Sequence, residues 1–272
     1  MALFGTREGD SIWWCSKDEY GLAFALILVL FFIYSITMIV YFMAVSYINT
    51  ANGTAILVLV LLSIWAYLKT MLTDPGSVSK YARPLPVDTD DESRSICGRC
   101  NGFKPWRSHH DRVSDRCISR MDHFCPWTNN SIGAKNQKHF FLFLTYGFAA
   151  SAYVYILLIT HLLLCSDDIN CGNYTVATLN SARVFVFLVL LSLLFTGAML
   201  WSQVHGLVIG LGTIDRMKAA GHGSLPVEQS IPFGHVFGNY WPTHFLPFDP
   251  MFILPEEVLH YEIGSEEYSN YY

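Results

Sequence analysis

The sequence predicts an α-helical integral membrane protein with four transmembrane helices and a small zinc-stapled, cysteine-rich cytoplasmic domain between helices two and three. Three observations support this prediction. Hydrophobic residues make up 52% of the 272 residues, and charged residues only 14%. Four long runs contain no Asp, Glu, Lys or Arg: 22–45, 54–68, 140–165 and 184–214. The stretch between the second and third runs is polar and holds four of the seven cysteines.

About 20 apolar residues span a bilayer as an α-helix, so three of the runs are long enough as they stand. The second run is shorter, but 51–72 also fits because Lys69, near one end, can extend its charged tip to the interface. A soluble helical protein rarely keeps four such stretches free of charge, which disfavours that alternative. The predicted divisions are 1–72, an arm and two helices; 73–139, the cysteine-rich cytoplasmic domain; 140–214, helices three and four; and 215–272, a cytoplasmic C-terminal segment.

Basic residues indicate how the helices are oriented. Of the 17 Lys and Arg, 12 lie between Lys69 and Lys138, and the turn between the first two helices has none. The positive-inside bias then places both termini and the central segment in the cytoplasm. The sequons at Asn52 and Asn173 fall on the opposite face, as N-glycan acceptors must, although Asn52 is too near the membrane to be modified. Golgi, endoplasmic reticulum and plasma membrane all fit this pattern.

The cysteines divide by compartment in the same way. Four lie in the cytoplasmic stretch, where reducing conditions favour metal binding or catalysis over disulfides. They are Cys97, Cys100, Cys117 and Cys125. Cys165 and Cys171 flank the short lumenal loop, and both a disulfide and free thiols are open for them.

One set of side chains in this stretch has the composition of a structural zinc site. Cys97-x2-Cys100 is followed by His110 and Cys117, which gives three thiolates and one imidazole, enough for tetrahedral coordination. The surrounding segment has little apolar content, so we expect a metal to hold it together in place of a hydrophobic centre. Spacing alone leaves His109 open as an alternative to His110.

Cys125 lies in a different local sequence. It closely follows Asp122 and His123, and with one set of zinc ligands already complete it has no metal partner. An imidazole beside a thiol raises the thiolate fraction near neutral pH, and a carboxylate can orient that imidazole. These residues are therefore candidates for nucleophilic acyl-transfer chemistry at a membrane surface. A further structural thiol is the weaker alternative.

The same residues carry a family resemblance. Residues 97–143 closely resemble the DHHC-type protein S-acyltransferases, and the likeness extends to the four-helix order. A co-linear set of motifs of this kind is highly specific. The shared motifs are Cys97-x2-Cys100, Lys104-Pro-Trp-Arg107-x-His109-His110, Cys117, Met121-Asp-His-Phe-Cys-Pro-Trp127, Asn130-Ser-Ile-Gly-x2-Asn136, Asp74-Pro-Gly76, and Val236-Phe-Gly238 with Trp241.

The departures from the family are equally definite. The family usually holds two zinc ions, and by position the first keeps all its ligands: Cys97, Cys100, His110 and Cys117. The second loses all four, so that Asp-His-Phe-Cys stands where Asp-His-His-Cys is usual. The replaced positions are Asp111, Ser114, Phe124 and Ser131. Losing one ligand would leave thiolates unpaired, whereas losing four indicates replacement by packing and hydrogen bonds. The prediction is one zinc ion per chain.

Two further motifs differ from the family. Its Thr-Thr-x-Glu after the fourth helix is Gly212-Thr213-Ile214-Asp215 here. An Asn that often precedes the Phe-Gly pair aligns near Pro232. Both changes concern the support of the active site.

The resemblance implies a protein S-acyltransferase that moves a long-chain fatty acyl group, such as palmitoyl, from acyl-CoA to cysteines of membrane-associated proteins. Cys125 is then the nucleophile, His123 the base and Asp122 its orienting partner, with Trp127 beside the thioester. The acyl chain favours an apolar site because each buried CH2 contributes about 0.8 kcal/mol. The CoA phosphates need cations, although such cations also suit anionic lipid. The candidates are Lys104, Arg107 and His109.

Two other function classes compete with this one. A catalytically silent membrane scaffold that binds partner proteins is favoured by the missing second zinc and by Gly212 and Pro232, and opposed by the retained Asp122, His123 and Cys125. A zinc-dependent channel or transporter is disfavoured, because the spans carry no Asp, Glu, Lys or Arg in their middles. No nucleic-acid partner is expected.

Overall fold

The computed structural model describes residues 18–78, 96–105, 107–164, 174–222, 233–238 and 240–250. Its four long helices are α1 (Glu19–Ala44), α2 (Thr50–Leu72), α3 (Gln137–Leu164) and α4 (Val176–Ile209). The most apolar part of each has a mean hydropathy between 1.9 and 2.7, and each is long and apolar enough to cross a membrane. The predicted fold class, a helical membrane protein with four spans and a cysteine-rich segment between the second and third, is confirmed.

Helix α2 shows why a short charge-free run is sufficient. The helix has 23 residues and is therefore about 35 Å long at 1.5 Å per residue. The side chain of Asn49 accepts the N–H of Asn52 at 2.8 Å, which satisfies one free donor of the first turn. At the other end, Asp74 Oδ1 accepts the N–H groups of Gly76 and Ser77 at 2.9 and 2.8 Å, so the chain turns directly after the helix.

Large apolar side chains lie exposed along the helices. Leu26, Leu61, Ile156 and Leu194 belong to four different helices, and each is more than half exposed. Such a surface is unfavourable in water but costs nothing against lipid chains. The exposed faces are thus those of helices that contact a bilayer.

The chain divides into two compact units. One takes Met1–Leu28, Ala66–Phe140 and Val204–Tyr272, and the second takes Val29–Trp65 and Phe141–Gln203. The second unit is built from helix segments around a buried apolar core that includes Phe42 and Phe185. The first unit contains the cysteine-rich segment and every predicted site residue.

Within the first unit, the cysteine-rich segment folds into three short antiparallel hairpins. Strands of two or three residues are too short to show an alternating pattern, which is why these strands could not be predicted. The pairs are β1 (Ile96–Cys97) with β2 (Gly102–Phe103), β3 (His109–Asp111) with β4 (Arg116–Ile118), and β5 (His123–Cys125) with β6 (Asn130–Ile132).

Two buried asparagines attach the third hairpin to the end of α2. The amide of Asn130 donates to the carbonyl oxygens of Thr70, Met71 and Thr73 at 3.1, 3.3 and 2.9 Å. Asn136 donates to the Thr70 carbonyl at 3.2 Å. The last carbonyls of a helix lack partners within the helix, so these side chains complete its C-terminus and fix β6 against it.

The C-terminal part of the first unit adds α5 (Thr213–His222), α6 (Gly234–Phe237) and the apolar segment around Phe248. Lys138 Nζ donates to the Phe248 carbonyl at 2.8 Å. Asp249 lies 3.1 Å from both Lys69 Nζ and His139 Nε2. These contacts join the apolar segment to the end of α2 and the start of α3.

The predicted lumenal features are only partly within the described residues. Asn52 lies inside α2, where its side-chain oxygen accepts the hydroxyl of Tyr153 at 3.0 Å. An amide inside a helix and engaged in this way is a poor glycan acceptor. Asn173, Cys165 and Cys171 lie outside the described residues.

We predict that Asn130→Ala destabilises the protein. The change removes the Asn130 donor from the Met71 and Thr73 carbonyls and leaves the Thr70 carbonyl with Asn136 alone. The loss is expected to be about 1–3 kcal/mol. A thermal melt in detergent should show a lower midpoint. Asn101→Gly is the control, because Asn101 is exposed with a φ of 53° that glycine adopts easily, and its midpoint should be unchanged. Equal midpoints for Asn130→Ala and wild type would contradict the anchoring role.

Candidate active site and metal centre

Four side chains from the first two hairpins converge on one point. Cys97 ends β1, Cys100 lies in the turn after it, and His110 faces Cys117 across the β3–β4 pair. Their ligand atoms all lie within 4.8 Å of one another. Among the residues that the structure describes, this is the one group of His, Cys and acidic side chains with converging ligand atoms.

The spacing of these atoms fits zinc. His110 Nδ1 lies 3.6 and 3.2 Å from the sulfurs of Cys97 and Cys100, and the sulfurs of Cys100 and Cys117 are 3.7 Å apart. A tetrahedral zinc with Zn–S bonds of about 2.3 Å holds its sulfurs about 3.8 Å apart. Asp115 Oδ1 lies 3.2 Å from His110 Nε2, so a carboxylate stands behind the imidazole, as is usual for metal-binding histidines.

His109 points elsewhere. Its Nε2 lies 2.9 Å from Asp215 Oδ1, and its Nδ1 lies 3.1 Å from Lys218 Nζ. Of the two histidines that sequence spacing could not separate, the structure therefore brings His110 to the cysteines and His109 to α5.

The four positions that differ from the family form a polar cluster and an apolar contact. Asp111 Oδ2 accepts the hydroxyls of Ser114 and Ser131 at 2.6 and 2.9 Å. Phe124 packs against the buried Ile118 and Met121. Three of the positions thus meet at one carboxylate, and the fourth fills apolar space.

The third hairpin carries Cys125, the candidate nucleophile. Cys125 and His123 are two residues apart on β5, and side chains with that spacing lie on one face of a strand. Cys125 is only 3% exposed. A 310 turn at Pro126–Thr128 begins directly after Cys125 and fixes the backbone that follows the thiol.

Asp122 orients His123 through a short contact. His123 Nδ1 donates to Asp122 Oδ2 at 2.7 Å, and Asp122 is buried. The other ring nitrogen, Nε2, is buried and has no hydrogen-bond partner of ordinary geometry among the described residues. With Nδ1 bound to the carboxylate, Nε2 is the nitrogen available to exchange a proton with the Cys125 thiol.

Electrostatics in the hairpin favour an ion pair. Burial lowers the pKa of His123, but the contacts with Asp122 and Cys125 raise it by more, to about 9. Burial raises the pKa of Cys125, whereas the bond and charge of His123 and the hydroxyl and N–H of Thr128 lower it, and the net pKa is lowered. The arrangement therefore favours thiolate and imidazolium over thiol and imidazole.

The altered motif after α4 still supports the site. The N–H of Thr213, at the start of α5, donates to Asp122 Oδ1 at 2.5 Å. Backbone N–H groups at a helix N-terminus stabilise a carboxylate in this way whatever their side chains are. Ile214, like Phe124, packs against Ile118 and Met121. The carboxylate of Asp215 contacts His109.

Comparisons with known proteins agree with this geometry. The family model described as DHHC palmitoyltransferase matches residues 90–220. The chain is 33% identical over 232 residues to palmitoyltransferase ZDHHC3-A of Danio rerio, which covers 80% of this chain and 73% of that protein. It is 29% identical over 249 residues to human palmitoyltransferase ZDHHC3, covering 85% and 83%. A probable protein S-acyltransferase of Arabidopsis thaliana, number 13, is 35% identical over 149 residues, covering 48% and 49%.

The chain belongs to the DHHC palmitoyltransferase family. The predicted family is thereby confirmed, as is the enzyme class, and the silent scaffold is not favoured. Within this DHHC family member, the Cys/His cluster at Cys97 suggests the zinc site of the domain.

The residues predicted to bind substrate in this DHHC protein are not gathered on one surface. The ring of Trp127 lies 4.8 Å from that of Phe24 in α1, beside the catalytic turn. Arg107 is buried, and its guanidinium donates to the Gly210 carbonyl at 3.0 Å. His109 is engaged by α5, and Lys104 is partly exposed.

Sequence reasoning missed three contributors to the site. Thr128 is fully buried one turn after Cys125, and its hydroxyl donates to the Cys125 carbonyl at 3.3 Å. A hydroxyl just after Cys-Pro-Trp was the available signal. Asn130 could be found only through its helix contacts. Thr213 acts through its backbone N–H, for which side-chain identity gives no signal.

We predict one zinc ion per chain in purified protein. Elemental analysis by mass spectrometry should give this ratio for wild type, and Cys117→Ser should lower it, because three ligands bind zinc less tightly than four. Ser114→Ala should keep one ion, since Ser114 belongs to the polar cluster. Two ions per wild-type chain would contradict the prediction.

We predict that His123 keeps Cys125 reactive below the pH at which ordinary thiols ionise. A lowered pKa means that thiolate persists to lower pH, so iodoacetamide should alkylate wild-type Cys125 with a midpoint below about pH 8.5. In His123→Gln the buried thiol loses its cation and its pKa rises, so alkylation at pH 7 should slow about tenfold or more. Peptide mass spectrometry measures the rate. His244→Gln should retain the wild-type profile; identical profiles for His123→Gln and wild type would disprove the ion pair.

Proposed function

We propose that this chain is a protein S-palmitoyltransferase whose acyl intermediate is a thioester on Cys125. The observation that supports the assignment best is the set of contacts from Thr213 through Asp122 to His123, which leaves one imidazole nitrogen for the Cys125 thiol. Family membership supports the same chemistry.

In the first step, the Cys125 thiolate attacks the thioester carbonyl of palmitoyl-CoA or a similar acyl-CoA. The bond from the acyl carbon to the CoA sulfur breaks as the bond to Cys125 Sγ forms. The CoA thiolate leaves and takes the proton that His123 carried. The products are the acyl-enzyme, free CoA and a neutral imidazole, which is ready to act as a base.

In the second step, a cysteine thiol of a membrane-associated protein gives its proton to His123. The resulting thiolate attacks the acyl carbon, and Cys125 leaves as thiolate beside the imidazolium. The ion pair of the resting state is restored. Asp122 keeps the ring in one orientation through both steps and stabilises its positive charge.

Substrate contacts follow from the same placement. We propose that Trp127 lines the site beside the thioester, where it packs next to Phe24. Lys104, Arg107 and His109 are the proposed cations for the CoA phosphates. Lys104 and His109 are partly exposed, whereas Arg107 is buried. Arg107 and His109 are held by Gly210 and Asp215 and would have to bind phosphate with their remaining donors.

The zinc ion is proposed to be structural. Four protein ligands close the tetrahedron, so no position remains for substrate or water. Cys97, Cys100, His110 and Cys117 would hold it and so fix the first two hairpins to each other. The second site of the family is proposed to be lost, with Asp111, Ser114, Phe124 and Ser131 in its place.

The proposed topology places both termini and the cysteine-rich domain in the cytoplasm. It rests on the clustering of basic residues between Lys69 and Lys138. The proposed divisions remain those of the sequence: 1–72, 73–139, 140–214 and 215–272. A cytoplasmic site at the membrane surface matches substrates that are both acylated and membrane-associated.

We predict that alkyne palmitate labels the protein through Cys125. Label on wild type should be released by hydroxylamine, which cleaves thioesters, and Cys125→Ser should carry none. Cys15→Ser, which removes a thiol outside the cysteine-rich stretch, should label like wild type. In-gel fluorescence after labelling measures all three. Equal label on Cys125→Ser and wild type would end the assignment of Cys125.

A further inference from the structure

A carboxylate that the proposed chemistry does not use lies buried beside the catalytic hairpin. Asp111 is 3% exposed. Its Oδ2 accepts the N–H of Ser114 at 3.0 Å and the hydroxyls of Ser114 and Ser131 at 2.6 and 2.9 Å, and its Oδ1 accepts the N–H of Val113 at 3.2 Å. Asp111, Ser114 and Ser131 are called the Asp111 cluster below.

Most of these contacts form a local turn. Val113 and Ser114 lie in the β3–β4 connection that Asp111 opens, and an aspartate commonly accepts N–H groups two and three residues further on. Ser131 does not belong to that turn, because it lies twenty residues along the chain in β6. The contact of Ser131 therefore needs an explanation other than turn formation.

The position of Ser131 supplies one. Ser131 pairs with Phe124 in the β5–β6 hairpin, and Phe124 lies between His123 and Cys125. The Asp111 cluster thus holds the backbone opposite the two reacting side chains. Charge-assisted bonds of this length are strong and directional, and a buried carboxylate has no water to exchange for them.

Asp111 also lies next to the metal cluster. It directly follows His110 in β3, so one short strand carries a zinc ligand and the anchor of the catalytic hairpin. A shift of β3 is thereby transmitted to Ser131. The route from the metal centre to the nucleophile runs through His110, Asp111 and Ser131.

We propose that Asp111 is a positioning residue for acyl transfer, acting through the hydroxyl of Ser131 on the strand that faces Cys125. The proposal rests on the proposed acyl-transfer function and adds to it a link between the metal centre and the nucleophile. It also gives this chain a means of fixing the hairpin without a second metal ion.

The test compares Ser131→Ala with Ser114→Ala in purified protein. Both remove one buried hydroxyl from the same carboxylate, but only Ser131 lies opposite β5. Single-turnover acylation of Cys125 by palmitoyl-CoA should slow about tenfold or more in Ser131→Ala, since small misplacements of a reacting group can cost up to about a hundredfold. The acyl-CoA concentration at half-maximal rate should not change, because substrate contacts are intact.

The matched variants should behave differently. Ser114→Ala should acylate within about twofold of wild type and keep one zinc ion, because its role is in the local turn. Ser131→Thr keeps a hydroxyl and should recover most of the rate. Ser131→Val has the shape of the threonine variant without its hydroxyl and should not. The threonine and valine pair decides the question if Ser131→Ala does not fold. The double variant Asp111→Asn with Ser131→Ala should acylate no more slowly than the slower of the two single variants, because both substitutions break the same Asp111–Ser131 contact.

Either of two results would overturn the proposal. One is an equal loss of rate in Ser114→Ala and Ser131→Ala; the other is a wild-type rate in folded, zinc-bound Ser131→Val. Alkylation of Cys125 by iodoacetamide separates this failure from failure of the proposed function. If wild type formed no thioester, acyl transfer would be wrong, yet slower alkylation in Ser131→Val than in Ser131→Thr would still support positioning.

Discussion

The active site depends on one buried carboxylate with both of its oxygens engaged. Asp122 Oδ2 accepts His123 Nδ1–H at 2.7 Å, and Oδ1 accepts the N–H of Thr213 at 2.5 Å. A buried carboxylate without donors would be costly, so each contact offsets part of the cost of burying Asp122. The first orients the imidazole that is proposed to ionise Cys125, and the second joins the hairpin to the start of α5. The chemistry of the thiol and the path of the chain after α4 therefore share one group.

The cysteine-rich segment is held by directional contacts as well as by apolar burial. One apolar cluster of the described residues has the buried Ile118 and Met121, with Phe124 and Ile214 packed against them. The hydrogen bonds of Asn130 and of the Asp111 cluster add directional restraints on the hairpins, as the proposed zinc would at Cys97. Directional bonds define the register of each strand but tolerate little change. This makes the segment a rigid support for a nucleophile on a very short strand.

The sequence predicted the parts of this molecule that depend on composition and spacing. Charge-free runs located the four helices because the bilayer core excludes charge from the middle of a helix, whereas Lys69, Lys138 and Arg183 lie nearer the helix ends. Cys97-x2-Cys100 located the metal cluster because ligands on a tight turn need that spacing. The three hairpins could not be predicted, since strands of two or three residues carry no periodicity. Spacing alone could not choose between His109 and His110, because Asp215, which contacts His109, is over a hundred residues away; the choice of His110 came from the family resemblance. The support that Thr213 gives to Asp122 comes from a backbone N–H, and this contact is therefore present with Gly212 and Ile214 beside it.

Given the proposed loss of the family's second zinc site, the Asp111 cluster explains why its four ligand positions would change together. A zinc site places anionic thiolates around a cation, whereas here hydroxyl and N–H donors surround an anion, so the polarity of the centre is reversed. A single cysteine left in such a cluster would place a second acceptor beside Asp111, and a single serine in a zinc site would remove a thiolate. The side chain of Phe124 can neither bind zinc nor donate a hydrogen bond to Asp111. It packs against Ile118 and Met121 instead. A mixture of zinc ligands and cluster residues is thus worse than either complete set, and the hairpin that carries Cys125 is anchored through the Asp111–Ser131 contact.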